Sequence, residues 1–146
     1  MPIAPMLRRS LAGVLLALSA TTMACMLTAG RAPAPDITTV KSSKLGLYRA
    51  SIRLGAEPVP VRKLTAWTLH LETAAGVAVD TATIYVDGGM PQHGHGLPTR
   101  PRVVADLGHG DHRIEGLKFS MGGWWRMLFV VRSPAGLDTV VFNLSI

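Results

Sequence analysis

This chain of 146 residues has a single cysteine, Cys25. No internal disulfide is available, so the fold must stand on its core alone. Charged residues make up only 16% of the chain and aromatic residues 5%. The cations are scattered (Arg49, Arg53, Arg62, Lys63, Arg100, Arg102) and the one aromatic cluster is apolar. No basic patch interleaved with aromatic residues is present, which argues against nucleic acid as a partner. No apolar pattern of helical period runs beyond two turns, so a helical bundle is excluded. There are no paired carboxylates, no Ser-His-Asp order around a nucleophile turn, and no phosphate-cradling glycine loop. The expectation is therefore a protein that is not an enzyme.

The first residues read as a signal peptide over residues 1–24. Arg8 and Arg9 supply the positive start, residues 11–20 are apolar, and the small residues Thr22 and Ala24 precede a cleavage point. The apolar run is too short to cross a bilayer comfortably, and no later segment approaches a transmembrane length. The mature chain is expected in the periplasm or cell envelope. Cys25 follows Ala24 directly, as in a lipoprotein, although Thr22 stands where Leu is usual. Plain secretion is the alternative. Membrane attachment, on this reading, is only through lipid on Cys25. Loss of Arg8 and Arg9 leaves 13 cationic and 9 anionic side chains, a net charge of +4.

Residues 25–43 are poor in apolar side chains (Arg31-Ala32-Pro33-Ala34-Pro35) and read as a flexible tether, leaving 44–146 as one domain. From Leu45 the pattern alternates. Strands are expected from Leu45 to Leu54, from Leu64 to Leu71, from Val77 to Val86, at Val103-Val104, from Ile114 to Phe119, from Trp124 to Val131, and from Val140 to Ile146. About seven short strands separated by turn signals predict an all-β fold, an immunoglobulin-like β-sandwich, with a small barrel as the alternative.

The chemistry concentrates in Gly89-Met90-Pro91-Gln92-His93-Gly94-His95-Gly96-Leu97-Pro98 and in Gly108-His109-Gly110-Asp111-His112. Four of the five histidines lie within twenty residues. Imidazole is the commonest protein metal ligand, and thioether sulfur favours soft Cu(I). In extended chain, residues two apart project to one side, about 6.5 to 7 Å apart. His93 and His95 are thus positioned to chelate one ion, and Met90 to add a soft ligand. His109 or His112 would join from the next loop. Met121 would add a second thioether from a third loop, with the Trp124 ring as cover through cation–π attraction. The bland reading is a glycine-rich crossing whose histidines are satisfied by carbonyls. His70 lies within a strand and reads as structural, while Trp67 and Trp125 read as core. Zinc is the rival metal. It would want thiolates for a closed site, or three ligands with Asp111 as acid, base or orienting group for an open one.

Two stretches together, Met90-Pro91 through His93-Gly94-His95-Gly96-Leu97-Pro98 and Gly116-Leu117-Lys118-Phe119-Ser120-Met121-Gly122-Gly123-Trp124-Trp125, resemble the YtkA-like family. Gly122-Gly123 replaces the Pro-Gly often found in that turn. The resemblance implies a small exported or lipid-anchored bacterial protein with an immunoglobulin-like sandwich over about residues 45 to 146. It implies fold and location more firmly than activity. Two functions are therefore carried forward. One is an envelope protein that stores, delivers or senses copper. The other is a non-catalytic module that grips an envelope or inner-membrane protein, as in assembly of a membrane redox complex.

Overall fold

The computed structural model describes residues 33–146. The signal-peptide and Cys25 readings lie outside the described residues. Nine strands follow one another with no helix among the described residues: β1 (Val40–Ser42), β2 (Tyr48–Arg53), β3 (Leu64–Thr73), β4 (Thr83–Met90), β5 (His95–Gly96), β6 (Arg102–Gly108), β7 (Asp111–Lys118), β8 (Trp124–Ser133) and β9 (Gly136–Ser145). All pair antiparallel, in the order β1-β2-β3-β7-β6-β4-β8-β9, with β5 hanging from β4. A single residue pair, Tyr85 with Arg102, joins β6 to β4. The path thus divides into two packed sheets, β1-β2-β3-β7-β6 and β4-β8-β9. Without β1 and β5, the order is that of a seven-stranded immunoglobulin sandwich. The other side is drawn together where the Lys44 amide donates to the Thr139 carbonyl, so the sandwich is nearly a closed barrel.

The core follows from strand parity. Trp67, Leu69 and Leu71 on β3 and Ile114 and Leu117 on β7 point inward, toward Trp125, Met127, Phe129 and Val131 on β8 and Val140, Phe142 and Leu144 on β9. Phe119 stacks on Trp67 with centroids 5.5 Å apart and meets Trp125 edge-on at 5.1 Å. Such pairs add to simple area burial and set the rings at defined angles.

Several expectations need correction. The compact unit begins at Pro35, so residues 35–43 belong to the fold and not to the tether. β1 pairs with β2 through its backbone, and an edge strand needs no apolar content to do that. The third strand starts at Thr83, not at Val77. Residues 77–80 instead double back beside β3, with the Val79 amide donating to the Leu71 carbonyl. Alternation persists through this crossing because Val79 is buried too, so the pattern cannot report the change of sheet.

Candidate functional site

Strand direction decides which loops meet. β4 ends at Met90, and Gly89 lies opposite Arg126 near the start of β8. Trp124 in turn lies opposite Ser145 at the end of β9. The Met90 loop, the Met121 turn and the C-terminus therefore share one end of the sandwich. β7 arrives at this same end with Lys118, having started at Asp111. Its eight residues place His109 and His112 at the other end, roughly 20 Å away. The six expected ligands do not form one group.

At the Met90 end, the chain reverses through residues 91–94. The His93 and Gly94 amides both donate to the Met90 carbonyl, at 3.1 and 3.0 Å. Gly94 takes φ +65°, a left-handed value that glycine adopts at low cost. His95 returns opposite Met90, which makes a short hairpin. Both histidines are exposed. Their rings lie nearly parallel, 8° apart in plane, with centroids 6.2 Å apart. Metal–nitrogen bonds near 2.0–2.1 Å put an ion about 3 Å from each ring centre, so two imidazoles on one ion have centres no more than about 6.5 Å apart. The observed spacing falls within that reach.

Met90 is not a loop residue. It closes β4 with 2% exposure, on the same inward parity as Ile84 and Val86. Its methyl reaches the turn that carries Met121, for a Cβ on Gly123 would stand 2.8 Å from Met90 Cε. Met121 itself is 41% exposed, and its carbonyl accepts a 3.0 Å hydrogen bond from Trp125 Nε1. Trp124 Nε1 donates to Asn143 Oδ1. The thioether of Met121 thus remains accessible, while that of Met90 underlies the site as packing.

Beside the hairpin lies an open groove of about 530 Å³, lined among others by Asp87, Gly89, His95, Arg126 and Leu128. Asp87 and Arg126 were not foreseen. They reach the groove only through the β4–β8 register, which no local pattern announces.

Two of the other three histidines, His112 and His70, have structural partners. His112 is 1% exposed, and its Nε2 donates to the Val79 carbonyl at 2.7 Å. It sits in β7 rather than in a turn, on the inward parity of Ile114, and that parity is the signal by which the sequence could have placed it. His109 occupies the exposed tip of the β6–β7 turn, with φ +56°. His70 Nδ1 meets Asp111 Oδ1 at 2.7 Å and Nε2 meets Glu72 Oε1 at 3.2 Å. The Asp111 hydrogen bond is the main reason the His70 pKa is raised, with Glu72 assisting and burial opposing. Asp111 also pairs with Arg53, so it is committed to a surface network and does not orient a metal ligand. Among the described residues, no three His, Cys, Asp or Glu side chains converge as a metal-ligand set.

A family model for YtkA-like proteins matches residues 48–129, more than half of the chain. The chain belongs to the YtkA-like family. No curated protein and no solved structure matches it. The matched span of this YtkA-like domain runs from β2 into β8 and takes in His93, His95 and the Met121 turn.

Proposed function

We propose that this YtkA-like protein is an exported or lipid-anchored envelope protein that binds copper at the Met90 end, for storage, delivery or sensing. The observation that supports this reading most is the pair of exposed histidines, His93 and His95, with ring centres 6.2 Å apart. The donor set fits the metal. Two imidazoles with an accessible thioether from Met121 suit soft, low-coordinate Cu(I), whereas structural zinc wants four closed ligands and usually thiolates. His109 and His112 have no part in it, and Met90 supports the site from below. Copper binding by this set needs no catalytic group, and a non-enzymatic role is part of the proposal.

Titration of the purified protein with Cu(I) against a competing chelator tests the reading. The wild-type chain is expected to compete, and the His93→Ala/His95→Ala variant to lose affinity by at least about tenfold with an unchanged fold, since both side chains are exposed. His109→Ala is expected to bind as wild type. Absence of competition by the wild type overturns the copper reading. The second reading, an interaction module, is favoured by the open groove beside the hairpin. It then predicts that Arg126→Ala weakens capture of an envelope partner while metal has no effect.

A further inference from the structure

One corner of the Met90 end carries features that the proposed copper ligands do not use. Val61 bridges Phe119, the Arg62 amide donates to the Phe119 carbonyl at 2.7 Å, and Leu64 lies opposite Lys118. These contacts gather Val61, Arg62, Lys63, Leu64 and Lys118 on one surface. Leu64 is 69% exposed and Val61 38% exposed. Between Arg53 and Glu72 the sequence has one carboxylate, Glu57. Among the described residues, none of the three cations takes part in an ion pair. Apolar side chains projecting between cations that have no carboxylate partner match the boundary between lipid headgroups and acyl chains.

One further observation points the same way. The chain emerges at this end. Asn143, which lies opposite Arg126, donates through Nδ2 to the Asp36 carbonyl at 3.1 Å. Nine residues lie between Cys25 and Pro35, so ten chain steps span at most roughly 35 Å when fully extended.

We infer that this corner docks on the surface of an anionic lipid bilayer. Leu64 and Val61 enter the interface, and Arg62, Lys63 and Lys118 face the headgroup phosphates. The negative surface potential attracts the three cations, and the apolar area of Leu64 and Val61 adds to the binding. Docked in this way, the His93–His95 hairpin stands next to the membrane, where an embedded partner is in reach. The inference does not depend on copper.

The test uses the full chain carrying Cys25→Ser, reconstituted with vesicles of phosphatidylcholine alone or with about 30% phosphatidylglycerol as the anionic lipid. An environment-sensitive fluorophore is placed at Leu64→Cys, or at Ala135→Cys at the opposite end. The Leu64 label is expected to shift to the blue, and to be quenched by a lipid-borne quencher, only with phosphatidylglycerol. The Ala135 label is expected to report water in both. Arg62→Gln and Lys63→Gln are expected to lower the docking equilibrium about fivefold each, and salt to lower it further. Equal signals from the two labels, the same Leu64 signal without anionic lipid, or indifference to the two substitutions would each overturn the inference. Release of the Leu64 label from vesicles by competing RNA at equal phosphate would assign the patch to polyanions in general and overturn it too.

Discussion

The methyl of Met90 lies beneath Gly123, so that the β4 hairpin and the Met121 turn meet at a position with no side chain. A Cβ there would approach Met90 Cε to 2.8 Å, and Gly123 has φ +128°. Gly123→Ala is expected to destabilise the fold by about 1–2 kcal/mol, chiefly through the backbone conformation, because the methionine end can shift. Urea unfolding measures this. If the copper proposal holds, the same variant also weakens Cu(I) binding, since the turn bearing Met121 is displaced from the hairpin.

His112 and His109 separate structure from chemistry. Truncating His112 leaves the Val79 carbonyl without its donor and opens a cavity in a fully packed layer. His112→Ala is expected to cost about 2–4 kcal/mol, read from chemical denaturation. His109→Ala, at an exposed tip, is expected to change stability by less than about 1 kcal/mol. Equal effects of the two substitutions would refute the assigned burial.

Asp138 is the buried anion of the opposite end. Its carboxylate accepts the amides of Leu45, Leu47 and Thr139. Burial raises its pKa, but the Ser43 hydroxyl and these three amides outweigh burial and lower it. A depressed pKa stabilises the fold above the ordinary value of 3.8, and that stabilisation is lost as pH falls through the folded-state value. Asp138→Asn is therefore expected to be less stable than wild type near neutrality. The difference is expected to shrink toward strongly acid pH in thermal melts.

His70 works in the opposite direction. Its pKa is raised above 6.5, first by the Asp111 hydrogen bond, so its contribution is complete below pH 6.5 and fades as pH rises through the folded value. Asp111 is lowered despite burial by Arg53 and His70, and needs pH above its ordinary 3.8. The pair is thus most stabilising in mildly acid solution. His70→Gln is expected to flatten the decline in melting temperature above pH 6.5. An unchanged slope would show that the network carries no linkage.

Much of this protein was legible in its alternation. The strands from Leu64 and from Trp124, and the inward set Trp125, Met127, Phe129 and Val131, follow from a period of two that local side chains display directly. Glycines and prolines marked the reversals at residues 91–94 and 134–136 for similar reasons of backbone freedom. Met90 was misplaced because Gly88 and Gly89 mimic a loop, although its parity with Ile84 and Val86 continues the strand.

The sequence by itself determined the all-β character, the turn positions and the i, i+2 spacing of His93 and His95, since each depends on neighbours a few residues apart. Only the tertiary structure decided that the Met121 turn lies at the same end as those histidines while His109 and His112 stand at the far end. That outcome depends on strand order and direction, which are set by long-range pairing across the whole core. A histidine's place in the sequence carries no information about which end of an eight-residue strand its partners occupy.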